Sequence, residues 1–161
     1  PFEAGAFAST PIPAAGARNA DGLTYPTTPF NNTIGTMLAY IILPSTSGQQ
    51  QIVASGGGYL LYRSVSGELS LFDGAVERKG NALAASVNQR KVASAYSGSE
   101  SVTTIDGTVS SALGFDGTVG IVTSVAIGSL IGGTENFYGA IGRVAYWSSR
   151  LPNATLQALT A

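Results

Sequence analysis

At short intervals from Gln51 to Ile127, this chain is cut by residues that form turns. Gly56-Gly57-Gly58, Ser66-Gly67, Asp73-Gly74, Gly80-Asn81, Ser97-Gly98, Asp106-Gly107 and Asp116-Gly117 all fall there, and Gly132-Gly133 follows. The segments between them are rich in β-branched and aromatic residues, which suit a pleated, half-buried surface. Strands are expected at Gln51–Ser55, Tyr59–Ser64, Glu68–Phe72, Ala82–Val87, Lys91–Tyr96, Ser101–Ile105, Thr108–Ala112, Val119–Val122 and Ser124–Ile127. Their spacing is close to the roughly 8–12 residues of a sandwich or barrel. The sharpest hairpin signal is Asp106-Gly107, between VTTI and TVSS. A type I′ turn needs positive φ at both central positions, and Asp-Gly supplies it.

Longer segments flank this region. Ile34–Leu43, IGTMLAYIIL, is apolar at both parities, so it reads as a strand buried on both faces. Pro44 ends it. Phe137–Trp147 is the last strand and holds the single tryptophan. A short helix follows at Asn153–Leu159, with Asn153 as its cap and Pro152 fixing the approach. Residues 1–33 carry five of the seven prolines, which remove ladder donors. They read as an extended connector from a preceding module, with short edge pairings. The chain opens Pro1-Phe2 and reads as a piece of a longer polypeptide. The domain itself is expected to span 34–161.

About ten antiparallel strands and one terminal helix predict an all-β, two-layer antiparallel β-sandwich. No long-period repeat argues for a solenoid or propeller.

The side chains present narrow the chemistry. There is no cysteine and no histidine. Disulfides, thiolate zinc sites and histidine acid–base chemistry are excluded. Charged residues are 11% and the net charge is −1, against about 25% charged in an average soluble protein. Arg78-Lys79 and Arg90-Lys91 are the densest basic pairs, so no nucleic-acid footprint is present. No apolar run is long enough to insert as a membrane helix.

Three motifs resemble the laminin-G-like, concanavalin-A-like jelly-roll module. In Lys91–Val109, KVASAYSGSESVTTIDGTV, the residues Val92, Ala93, Tyr96, Gly98, Asp106 and Gly107 fit the pattern. Ser124–Ser129, SVAIGS, resembles the next strand. Phe137, Gly139, Ile141, Val144, Trp147, Arg150 and Leu151 fit the closing strand and helix. Gln89-Arg90-Lys91 departs from the family, which often has an aromatic and a histidine there. A further segment, Glu3–Asp21, is similar to one common in bacteriophage tail and fibre proteins. It matches at Glu3, Gly5, Phe7, Ile12, Pro13, Arg18, Ala20 and Asp21 and departs at Ser9-Thr10. This resemblance implies a virion protein built of modules in series.

Catalysis finds no support in the residue pattern. Glycosidases of this architecture place carboxylates at alternate positions of one strand, and no Glu-x-Asp or Glu-x-Glu pair exists. Glu68 and Asp73 are five apart and would face opposite sides of a regular strand. Serine chemistry lacks a histidine partner. Gly56-Gly57-Gly58 precedes a strand and lacks the Lys-Ser/Thr of a phosphate loop.

For a sugar ligand, aromatic faces and polar groups are needed together. Tyr59, Tyr62, Arg63 and Tyr138 are the candidate ligand-binding residues. Trp147 and Arg150 read as the seam locking the last strand and helix onto the sandwich, with Arg150 bonding nearby carbonyls. Asp73, Asp106 and Asp116 are candidate calcium ligands by analogy with laminin-G-like modules. Each precedes a glycine, so turn formation is the competing reading.

The expected function is a non-enzymatic virion module, extracellular, in a phage tail fibre or similar appendage, binding a host surface glycan. Two alternatives stand beside it: a structural or capsid-decoration module without ligand, and a secreted bacterial carbohydrate-binding module. Expected partners are other virion subunits, with a homo-trimer favoured because fibres are commonly trimeric; the two-faced Ile34–Leu43 is compatible with an interface and also with a simple core strand. Nucleic acid and membrane insertion are not expected, and no cofactor beyond calcium is.

Overall fold

The structure, a computed structural model, describes residues 23–25, 30–56, 58–120, 124–130 and 135–161, and for 23–25 and 58–59 the backbone only. The described strands are β1 (Leu23–Tyr25), β2 (Ile34–Leu43), β3 (Gln50–Ser55), β4 (Gly58–Arg63), β5 (Glu68–Phe72) and β6 (Glu77–Ala82). They continue with β7 (Ser86–Ser97), β8 (Glu100–Ile105), β9 (Thr108–Val109), β10 (Leu113–Gly114), β11 (Val125–Ile127) and β12 (Ala140–Trp147). Helix α1 (Asn153–Thr160) closes the chain. One sheet runs β1-β11-β3-β4-β5-β6 and the other β10-β8-β7-β2-β12, with β9 on β8. All the pairings are antiparallel. This is the two-layer sandwich the turn spacing predicts.

The period-2 geometry of β2 explains its apolar character at both parities. Met37, Ala39, Ile41 and Leu43 face inward and join Ile52, Leu61, Leu69, Leu71, Val92 and Tyr96 in the core between the sheets. Leu38 faces outward with Ala93, Ala95 and Val102, and this second cluster is closed by Leu156 of α1. The register places Leu38 directly between Ala93 and Ala145. These alanines leave a shallow seat on which the helix lies, with Trp147 and Leu151 at its edge. Both faces of β2 are thus covered within the chain, and its two-faced pattern needs no second subunit.

Several expected boundaries shift, for local reasons. The strand expected at Ala82–Val87 is not formed as one piece. Leu83 leaves the ladder, buries its side chain, and donates its N–H to Gly67 at 2.8 Å. Gly80-Asn81 is not a turn, because Gly80 lies inside β6. A Cβ there would come within 1.7 Å of Thr103 Oγ1, so glycine is required by the close approach of the sheets. β9 stops at Val109, where Ser110 turns its N–H to Thr103. The last strand begins at Ala140 rather than Phe137. Val119 and Gly120 lie outside any strand, and 121–123 are outside the described residues. Gly57, Gly132-Gly133 and residues 1–22 also fall outside them. Asp106-Gly107 does form the expected hairpin, with φ of 45° and 78°.

Upstream of Ile34, the sandwich takes in two further pieces. β1 pairs at the sheet edge with β11. Phe30 stacks on Tyr146 with centroids 4.0 Å apart, and the Asn31 carbonyl accepts from Tyr96 Oη at 2.9 Å. Burial raises the Tyr96 phenol pKa, and the neighbouring Tyr146 adds to it.

Helix α1 differs from expectation at its start. Pro152 is the N-cap, extended at φ −58° and ψ 149°, and no side chain caps the helix. Asn153 Oδ1 accepts instead from Arg150 Nη2 at 3.1 Å. Arg150 is not chiefly a binder of carbonyls either. Its guanidinium is ion-paired to Glu100, which ties the β7–β8 hairpin to the strand–helix corner.

Candidate functional site

The start of β3 is a run of three glutamines, and the segment 135–138 lies along it. Gln51 donates its backbone N–H to the Glu135 carbonyl at 3.1 Å. Its Nε2 donates to Glu135 Oε2 at 2.8 Å, and Gln49 Nε2 donates to the same oxygen at 3.0 Å. Gln50 points the other way. Its Nε2 donates to the Ser45 carbonyl at 2.9 Å and its Oε1 accepts the Tyr138 N–H at 3.1 Å. The period of two along β3 thus sends alternate amides to two different walls of one rim.

Three features make this rim unlike ordinary surface. Gln51 is wholly buried, yet among the described residues its Oε1 has no hydrogen-bond partner. The buried Oδ1 of Asn136 has none either. An unsatisfied buried amide oxygen costs about 1–3 kcal/mol. Glu135 sits at φ 53°, a left-handed conformation costing a side-chain-bearing residue about 1–2 kcal/mol. Beside this strained, under-satisfied pair stands Tyr138, 56% exposed. Residues held in sparsely populated backbone conformations cluster at active sites and ligand clamps, and each unmet buried acceptor calls for an explanation.

Of the sequence candidates, Tyr138 is therefore at the rim. Tyr62 is 1% exposed, within the body of β4. Arg63 is 8% exposed and donates to carbonyls. Nε bonds Leu83 O at 3.2 Å, and Nη1 bonds Gly48 O at 2.9 Å and Ser64 O at 3.3 Å. It pins two loops and offers no face to solvent. The Tyr59 side chain lies outside the described residues.

Asp73 and Asp116 do converge, but on a guanidinium. Arg78 Nε donates to Asp73 Oδ2 and Arg78 Nη2 pairs with Asp116 Oδ1 at 3.0 Å. Asp73 also accepts the N–H groups of Ala75, Val76 and Asp116. Burial works to raise its pKa; the Val76 N–H, Arg78 and the Ala75 N–H outweigh it and hold the carboxyl below its usual range. Asp106 stands apart, paired to Arg90 at 2.8 Å in the β8–β9 turn. All three aspartates are occupied as turn formers and braces. Among the described residues no cluster of three or more acidic side chains is arranged to hold a metal ion.

Neither the glutamines nor Glu135 carries a local signal of a site, because their contacts form only when 135–138 lies along β3. The nearest to one is the Gln49-Gln50-Gln51 run opening a strand that is otherwise buried.

No known family profile matches this chain, and no curated protein does. Solved structures match it over most of its length, and together with the sheet order they define a concanavalin-A-like, laminin-G-like jelly roll with one short C-terminal helix. CBM40 of the Ruminococcus gnavus IT-sialidase, bound to α2,3 sialyllactose, aligns with a TM-score of 0.63 at 17% identity. That alignment covers 80% of this chain and 83% of the module. Domains LG4-5 of the mouse laminin α1 chain align at 0.65 and 19% identity, covering 84% of this chain and 41% of theirs. The heptameric SAP-like pentraxin of Limulus polyphemus aligns at 0.62 and 15%, covering 81% and 70%. At these identities the likeness is one of fold.

Proposed function

We propose that this domain is a non-catalytic glycan-binding module and that the rim of Gln49–Gln51, Glu135, Asn136 and Tyr138 is where the sugar sits. The observation that carries the reading is the exposed Tyr138, three residues from the left-handed Glu135 whose carboxylate Gln49 and Gln51 hold. A sugar needs an apolar face to stack on and fixed polar groups to count its hydroxyls. Tyr138 offers the first, and the part-buried Glu135 carboxylate and Gln49 amide offer the second. The fold likeness to a module bound to sialyllactose supports the same class of ligand. The carboxylates of Asp73, Asp106, Asp116 and Glu100 are tied to arginines, which suits binding better than bond cleavage.

The setting we propose is an extracellular phage appendage of the tail or fibre type. Its support is the resemblance of Glu3–Asp21 alone. Assembly as a trimer belongs to that setting and is read by sedimentation, where a clean monomer counts against it.

A glycan array probed with the domain and with Tyr138→Ala tests the binding reading. Binding that is lost in the variant at unchanged melting temperature supports it. No binding to any glycan by the unaltered domain overturns it and leaves a scaffold or decoration module.

A further inference from the structure

We infer that a second site, for an acidic group carried on a polysaccharide, lies on the outer face of the β10-β8-β7-β2-β12 sheet. Its residues are Lys91, Tyr40 and Arg143. The ladder register places Tyr40 of β2 directly between Lys91 of β7 and Arg143 of β12, so the three stand in one row on one face. This is the next row along from Ala93, Leu38 and Ala145, which seat helix α1. The Lys91 Nζ lies 5.7 Å from the Tyr40 ring centroid and the Arg143 guanidinium 5.6 Å.

Two like charges on either side of one phenol are notable in a chain with only 11% charged residues. Each cation gains from the ring quadrupole, but they repel one another unless an anion joins them. Lys91 Nζ spends one donor on a terminal oxygen of Ala161, whose carboxylate offsets part of its charge, and keeps two of its three. Arg143 is exposed, and among the described residues it forms no ion pair. Asp106, the nearest carboxylate in the ladder, accepts the Lys91 N–H but is ion-paired to Arg90. The patch is also open where the β12 strand bulges. A Cβ on Gly142 would meet only Gln89 Nε2 at 3.7 Å and the Tyr40 carbonyl at 3.9 Å. An ammonium, a phenol and a guanidinium carried on three adjacent strands form a donor set for a carboxylate or sulfate, with Gln89 at hand for a hydroxyl.

This inference rests on the glycan-binding reading but uses a different face, so the two fail separately. The test is titration of the full chain with polygalacturonate, dextran sulfate, neutral dextran, inorganic sulfate and duplex DNA. Binding of the first two is expected and should weaken about tenfold or more in Arg143→Gln and a few-fold in Tyr40→Phe. Arg143→Lys should restore most of it, and Tyr138→Ala should leave it intact. Unchanged affinity in Arg143→Gln overturns the site. Equal binding of DNA, or displacement by inorganic sulfate at equal charge, also overturns it in favour of an unspecific anion patch.

Discussion

Gln51 and Glu135, separated by 84 residues in sequence, are joined by a backbone and a side-chain hydrogen bond. The pair carries the left-handed φ of Glu135 and, among the described residues, leaves the buried amide oxygen of Gln51 without a partner. Glu135→Ala removes the acceptor shared by Gln49 and Gln51 and strands a buried amide. It should lower unfolding free energy by about 1–3 kcal/mol and weaken glycan binding together with it, as read by urea denaturation and titration. Glu135→Gly should recover about 1 kcal/mol of that stability, because glycine adopts the same φ without cost, and should recover none of the binding.

The helix seat gives a second prediction. Leu156 is fully buried between α1 and the outer sheet face. Leu156→Ala should cost about 2–5 kcal/mol. Trp147 is only half-buried at the edge of the same cluster, so Trp147→Ala should cost less than Leu156→Ala. Thermal unfolding of both variants checks the order. A larger loss at Trp147 would mean that the last strand, and not the helix, holds that face together.

The architecture was legible because turn chemistry is local. Asp106-Gly107 needs nothing beyond its own backbone to specify a hairpin, and the two-sided burial of Ile34–Leu43 follows from its parity pattern. What the sequence did not reveal depends on partners far along the chain. Gly80 looks like a turn residue until Thr103 is brought against it. Arg63 looks like a ligand contact until the loops at Gly48 and Leu83 close over it. Asp73 and Asp116 look like metal ligands until Arg78 is placed between them. At the rim, Tyr138 was visible as an aromatic. The glutamines that give it a polar neighbourhood were not, since their roles arise only when 135–138 lies along β3.

Gly80 offers a direct test of that long-range constraint. A methyl group there would overlap Thr103 Oγ1 and press on the Leu69 carbonyl at 3.2 Å. Gly80→Ala should destabilise by about 1–3 kcal/mol or more through overpacking. Among the described residues the buried Thr103 Oγ1 has no partner, so Thr103→Ala costs it no hydrogen bond and opens room at the contact. The double variant should therefore regain part of the stability lost in Gly80→Ala, the Thr103 Cβ still lying 2.9 Å from the added methyl. Stabilities that simply add in the double variant would show that the two side chains do not compete for that space.

Acid should unfold this domain partly through Asp73. Its pKa in the fold lies below the usual 3.8. A carboxyl with a lowered folded pKa contributes stability above its unfolded pKa and loses it as pH falls through the folded value. The unaltered domain should thus hold its stability down to about pH 4 and lose it progressively below. Asp73→Asn should be less stable near neutral pH, by about 1–3 kcal/mol, since Arg78 loses one of its two carboxylates. It should also show a shallower fall below pH 4, because one group that must be protonated is gone. Some slope should remain, since Ser64 and Ser66 hydroxyls, chief among its neighbours, hold Glu68 below its usual range as well. Urea melts across that range would sink the assignment if the two proteins lost stability in parallel.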